Sequence, residues 1–154
     1  MAATDLEAVA AIERESHNPL PPEGFSIFAN RLEKFPAGCF VAGDPAGGYA
    51  IAHPWAGPAP ALGAVLAALP EAPDHLLLHD LALRPALRGR GLPAALLALL
   101  QDVAVARGLP ELRLMAVHGT ASMWARLGFV AQDGGVPAGY GQGAVAMRRS
   151  VPAA

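Results

Sequence analysis

A single cysteine, Cys39, allows neither an intramolecular disulfide nor a cysteine metal cage. A reducing, cytoplasmic setting is the expectation that follows. Lysine is almost absent: Lys34 stands against ten arginines, and the net charge is −2. That balance supplies no field to draw the chain to nucleic acid or to an anionic membrane. Aromatic residues are only 6%, so the arginines lack the stacking platforms of a nucleic-acid binder. No apolar run approaches the ~18 residues of a membrane span. Asp5, Glu7 and Glu13 near the start are wrong for a signal peptide. Charged residues make up 16%, against a usual ~25%, which excludes the charge-rich disordered class. Of the five histidines only His75 and His79 have the His-x-x-x-His spacing, and on a predicted strand four residues span roughly 13 Å, so no metal site is expected.

What is present is a chain of 154 residues, 53% hydrophobic. Alanine supplies 34 of them, so that figure overstates the large core-forming side chains. The length predicts one domain over residues 1–154, burying roughly 68% of its unfolded surface. Thr4-Asp5-Leu6-Glu7 reads as a capping box opening a helix over 5–16, and Asn18-Pro19-Leu20-Pro21-Pro22 breaks it. Phe25, Ile27, Phe28 and Leu32 predict a second helix ending before Pro36. Cys39 to Ala42 and Tyr49 to Ala52 flank a glycine-rich turn and read as a hairpin. The proline-rich stretch 54–73 reads as a loop, with one helical turn allowed for at 61–69. His75 to Leu83, bracketed by Pro73 and Pro85, is a buried strand. Leu92 to Arg107 is a helix closed by Gly108, and Leu112 to Val117 a strand. Thr120 caps a short helix through Leu127. Phe129-Val130 and 144–149 return to strand around a glycine-rich loop, 133–143.

The informative unit is strand, then Arg88-Gly89-Arg90-Gly91-Leu92-Pro93, then helix. A helix start leaves backbone N–H groups without partners and carries partial positive charge. Glycines before it let the backbone approach an anion, and arginines add donors for phosphate. The Gly-Lys-Ser/Thr ending of a Walker loop is absent, as is the third glycine of the dinucleotide fingerprint. A basic, solvated turn is the plain alternative.

The stretch from Leu81 to Leu92 resembles the acyl-CoA-binding motif of the GNAT acetyltransferase superfamily, Gln/Arg-x-x-Gly-x-Gly/Ala after an apolar strand. Ala121-Ser122-Met123-Trp124-Ala125-Arg126-Leu127-Gly128-Phe129 is similar to that family's Ala-x-x-Tyr-x-x-x-Gly-Phe segment. The resemblance implies an α/β fold: a mixed, mainly antiparallel sheet of six or seven strands with helices on both faces. It implies acetyl-CoA as cosubstrate, lying where two central strands splay apart. Leu81, Ala82 and Leu83 would then meet the pantetheine arm. Arg88, Gly89, Arg90, Gly91, Leu92, Pro93 and Ala94 would surround the pyrophosphate, with His118 and Trp124 alongside. Pro93 replaces a small residue and deletes a backbone donor. His118 stands where Asn is common. Trp124 replaces the tyrosine that many members use as acid on the departing thiolate, and an indole N–H has no such acidity.

The activity implied is direct acetyl transfer to a small-molecule amine, with no metal, nucleic acid or membrane, and with a homodimer left open. His79, expected on one strand face with Leu77, Leu81 and Leu83, is the candidate base. Tyr140 is the candidate acid, and Asp80 is expected to point away as an anchor. His53 is a weaker candidate for the acceptor pocket, and His17 and His75 read as surface or loop residues. Glu71, Asp74 and Asp133 are the carboxylates expected near the acceptor. Cys39 has nothing nearby to activate it as a nucleophile. The rival reading is a non-catalytic acyl-CoA-binding sensor of the same fold, favoured by Pro93 and Trp124.

Overall fold

The computed structural model describes residues 1–152. Helices α1 (Leu6–Ser16) and α2 (Gly24–Lys34) come first, then strands β1 (Cys39–Ala42), β2 (Gly48–Trp55) and β3 (His75–Leu83). Helix α3 (Leu92–Ala106), β4 (Glu111–Ala116), α4 (Ala121–Arg126), β5 (Val130–Ala131) and β6 (Val145–Ser150) follow. The six strands form one sheet in the order β1-β2-β3-β4-β6-β5. Only β3 and β4 run parallel, because α3 carries the chain back across the sheet between them.

Two apolar layers sandwich the sheet. Leu6, Val9 and Ile12 of α1 and Phe28 of α2 pack on Tyr49, Ile51 and Ala82. On the other face Leu96, Leu97, Leu100 and Ala104 of α3 cover Leu76, Leu78, Leu112 and Leu114, joined by Trp124 of α4. Each leucine so buried contributes about 1.5–3 kcal/mol.

Four local expectations are corrected. The Thr4–Glu7 capping box does not form; a 3-10 turn, Ala3–Asp5, precedes α1, and the Asp5 carboxylate accepts the Ala2 N–H at 2.6 Å. The Thr120 hydroxyl donates to the Val117 carbonyl at 2.7 Å instead of capping α4. The stretch 61–69 is not helical, because α2 takes up its backbone groups. Asn30 exchanges two hydrogen bonds with Leu66, and Arg31 donates to the Ala64 carbonyl at 2.7 Å. Finally, His79 and Asp80 do not point to opposite faces. Ile51 pairs with Asp80 and the next residue, Ala52, with Leu78, so His79 is an extra residue in a β-bulge. Leu76 and Leu78 face α3 before it, Leu81 after it, and both His79 and Asp80 reach side chains of the α1–α2 segment.

Candidate active site

Strands β3 and β4 pair only at Leu76–Leu112, Leu77–Arg113 and Leu78–Leu114. Beyond Leu78 they part, and a cavity of about 430 Å³ opens through the gap. Its lining joins Arg88 and Pro93 to Leu81, Ala82, Leu83, Met123 and Trp124, and reaches His79, Asp80, His118 and Tyr140. Gly89, Arg90, Gly91, Leu92 and Ala94 lie outside that lining, around the start of α3.

The loop before α3 passes through two left-handed glycines, Gly89 and Gly91. Gly91 holds the N-cap position at φ +72°, a left-handed conformation that glycine adopts without strain. Ala94 and Ala95 both donate to the Gly91 carbonyl, and Pro93 has no N–H to give. Arg88 Nε donates to the Leu83 carbonyl at 3.0 Å, so that oxygen already has one partner. Arg90 is exposed and carries no protein hydrogen bond among the described residues.

At the other end His79 Nε2 lies 2.7 Å from Glu23 Oε2. Glu23 Oε1 accepts the Gly63 N–H at 2.6 Å, which fastens the carboxylate to the 56–74 loop. The His79 side chain is 0% exposed, and its Nδ1 has no partner among the described residues. His53 lies beside it, the rings tilted by 43° with centroids 5.7 Å apart. Burial, then the neighbouring His79, pushes the His53 pKa down to about 3, so it stays neutral. Far from ending the hairpin at the surface, His53 is wholly enclosed, because β2 runs on to Trp55.

Asp80 faces the same cavity. Tyr49 donates its hydroxyl to Asp80 Oδ2 at 2.6 Å, and His17 Nε2 lies 2.9 Å from Oδ1. Burial works against the ionised carboxylate, but His17 and Tyr49 outweigh it and hold the Asp80 pKa below the usual range. His17 lies in the bend after α1, a loop residue that also lines the cavity, whereas His75 is buried on β3 against Asp74. Tyr140 is buried with its hydroxyl on the Pro60 carbonyl at 3.3 Å. Burial raises its phenol pKa, chiefly because the phenolate would be desolvated, which makes it a poor proton donor. Burial likewise pushes the Cys39 thiol up to about 11.

The carboxylates at the cavity are Glu13, Glu23 and Asp80; Glu71, Asp74 and Asp133 take no part in its lining. Glu23 and His17 stand at the two ends of the α1–α2 turn, whose course no local pattern announces. Glu13 carried a readable signal, since it continues the Leu6, Val9, Ala10 stripe of α1 and a charge there needs a buried partner. That partner is the start of α2: Glu13 accepts the backbone N–H groups of Glu23 and Gly24. Among the described residues no group of three or more His, Cys, Asp or Glu could hold a metal ion. No helix there is long and apolar enough to cross a membrane.

The model of the acetyltransferase (GNAT) family matches residues 6–129. The chain belongs to the GNAT acetyltransferase family. Curated proteins yield no match. Among solved structures, a GphF GNAT-like decarboxylase in complex with isobutyryl-CoA superposes at TM-score 0.76 and 21% identity, covering 99% of this chain and 97% of that one. The ribosomal-protein-S18-alanine N-acetyltransferase of Escherichia coli gives 0.67 and 23%, covering 100% and 92%. The NatB acetyltransferase complex bound to CoA and MES gives 0.69 and 16%, covering 99% and 97%. At such identities the likeness is one of fold. Two of these neighbours were solved with a ligand of that kind, the decarboxylase with isobutyryl-CoA and the NatB complex with CoA.

Proposed function

We propose that this GNAT protein transfers an acetyl group from acetyl-CoA directly to a small-molecule amine. The observation that carries the reading is the cavity joining the Arg88 end of the glycine loop, through the strand gap, to the His79–Glu23 pair. The amine nitrogen attacks the thioester carbon, the C–N bond forms, and the C–S bond breaks from the tetrahedral intermediate. Glu23 fixes His79 with its proton on Nε2, leaving the Nδ1 lone pair to take the proton that the amine loses. Tyr140 shapes the acceptor end. The acetyl-CoA pyrophosphate is assigned to the start of α3, with Arg88 and Arg90 as cations. A single-domain, cytoplasmic enzyme fits the lone buried cysteine.

The test is CoA release from acetyl-CoA across a panel of small amines, with and without Glu23→Gln. That change should lower kcat about 10–100-fold, as the loss of an orienting carboxylate does, while leaving the CoA Kd unchanged. CoA binding without turnover would leave an acyl-CoA-binding module instead.

A second reading has one observation in its favour: the His79 ring is sealed from solvent and lines the cavity, so water is kept from a carbanion formed beside it. Loss of CO2 from a carboxyacyl-CoA leaves an enolate, which takes a proton at the α-carbon. A decarboxylase of the same fold makes this worth one assay. Amine-independent conversion of malonyl-CoA to acetyl-CoA would replace the transferase reading.

A further inference from the structure

Trp124 leaves the departing thiolate without the phenol that would protonate it, and the Tyr140 hydroxyl is engaged on Pro60. A second series of side chains crosses the mouth of the same cavity. His17 Nε2 lies 2.9 Å from Asp80 Oδ1, and His17 Nδ1 lies 3.2 Å from His118 Nε2, the two rings stacked 5.4 Å apart. The members come from β3, from the end of α1 and from the loop between β4 and α4. Accessibility rises along the series, from 12% for the Asp80 side chain to 16% for His17 and to an exposed His118. His118 stands at φ +53°, a backbone conformation that costs a non-glycine residue energy and aims its ring at His17.

We propose that His118 is the acid that protonates the CoA thiolate, recharged by His17 with Asp80 behind it. The proposal rests on the acetyl-transfer reading. His17 Nε2 and Asp80 Oδ1 are at ion-pair distance without the geometry of a hydrogen bond, and an ionised carboxylate favours a proton on the facing nitrogen, so His17 holds one on Nε2. When His17 is doubly protonated, its Nδ1–H donates to His118 Nε2. His118 then carries its own proton on Nδ1, the ring nitrogen with no protein partner among the described residues. As the C–S bond breaks, the electron pair stays on sulfur and takes the His118 Nδ1 proton. His118 Nε2 takes the Nδ1 proton of His17, and His17 ends neutral, its Nε2–H still facing Asp80 at ion-pair distance. One proton has left His17 and one S–H bond has formed; solvent restores the proton. The amine's own proton goes to His79.

The charges around the series favour this resting state. Burial disfavours a charged His17, but Asp80 overrides it, helped by Glu13 of α1 and Glu23 at the cap of α2, and raises the His17 pKa. Burial and the neighbouring His17 lower that of His118. Tyr49 of β2 faces Asp80 as a neutral donor. The spare proton therefore waits on His17 and moves when a base forms beside His118.

The pH dependence of kcat tests the assignment. In the native enzyme kcat should fall as rising pH strips the proton from His17. His118→Gln and His17→Gln should be slower on the order of 100-fold below that limb, and should lose the limb, with KM for acetyl-CoA changed less than about twofold. An equal loss at every pH with the limb retained would mean a structural role and would overturn the acid. Active native protein with unaltered variants would overturn the acid alone. CoA release with no amine at all would overturn the acid together with the transfer reading. Nitrogen-15 imidazole spectra of the ligand-free protein give an answer independent of turnover. His17 should be doubly protonated near pH 6 and His118 should carry Nδ1–H; a neutral His17 there would overturn the relay.

Discussion

Glu13 shows how one residue can set the place of another. Its carboxylate holds the first backbone N–H groups of α2 and so delivers Glu23, the cap of that helix, to His79. Glu13→Ala would leave two partly buried donors without partners, a cost of about 1–3 kcal/mol that urea unfolding should register. The Asp80–His17 pair makes a prediction with a sign. The raised His17 pKa gives stability that is present below its ordinary value of 6.5 and is lost as pH rises through the folded value. The lowered Asp80 pKa gives stability that is present above 3.8 and is lost as pH falls through the folded value. The melting-temperature deficit of His17→Gln should thus be largest between those limits and shrink towards pH 9. Equal deficits at pH 6 and pH 9 would show that the ion pair is not the cause.

The start of α3 separates a binding argument from a folding one. Pro93→Gly restores a backbone N–H at the loop assigned to the pyrophosphate but loosens a turn that proline pre-sets. The free protein should lose roughly 0.5–1 kcal/mol while CoA binds at least as tightly. Binding that falls with stability would make Pro93 a positioning element for a loop that never used that donor. Elements of this kind were legible in the sequence. β3 spans the apolar run between Pro73 and Pro85, and α3 runs from the glycine loop almost to Gly108. The bulge at His79 was not, because an extra residue changes which face every later side chain takes without altering the apolar pattern. Nor was Glu23, which follows Pro21-Pro22 and becomes meaningful only when Gly63 and His79 arrive from elsewhere. The setting of Tyr140 was equally hidden, because the phenol's partner, Pro60, lies 80 residues away.

Across the whole molecule, two long loops meet over the acceptor end. Leu62 donates its N–H to the Ala138 carbonyl at 3.0 Å, and a Cβ at Gly139 would come within 2.6 Å of the Leu62 Cβ. Glu23, Asn30 and Arg31 pin the first of those loops to α2, so the histidine pair, the helix and the covering loops form one connected assembly. The sheet itself is less complete. β3 and β4 hydrogen-bond at one end and then diverge, so the centre of the molecule contains two inward-facing edges. An edge strand is a template for pairing. A pantetheine arm, which carries two amides, is chemically a short length of such a strand. Amide hydrogen exchange should therefore slow on CoA binding at 80–83 and 115–117, in the middle of the sheet, while the outer strand β1 is unaffected. The ligand would act as a missing piece of secondary structure.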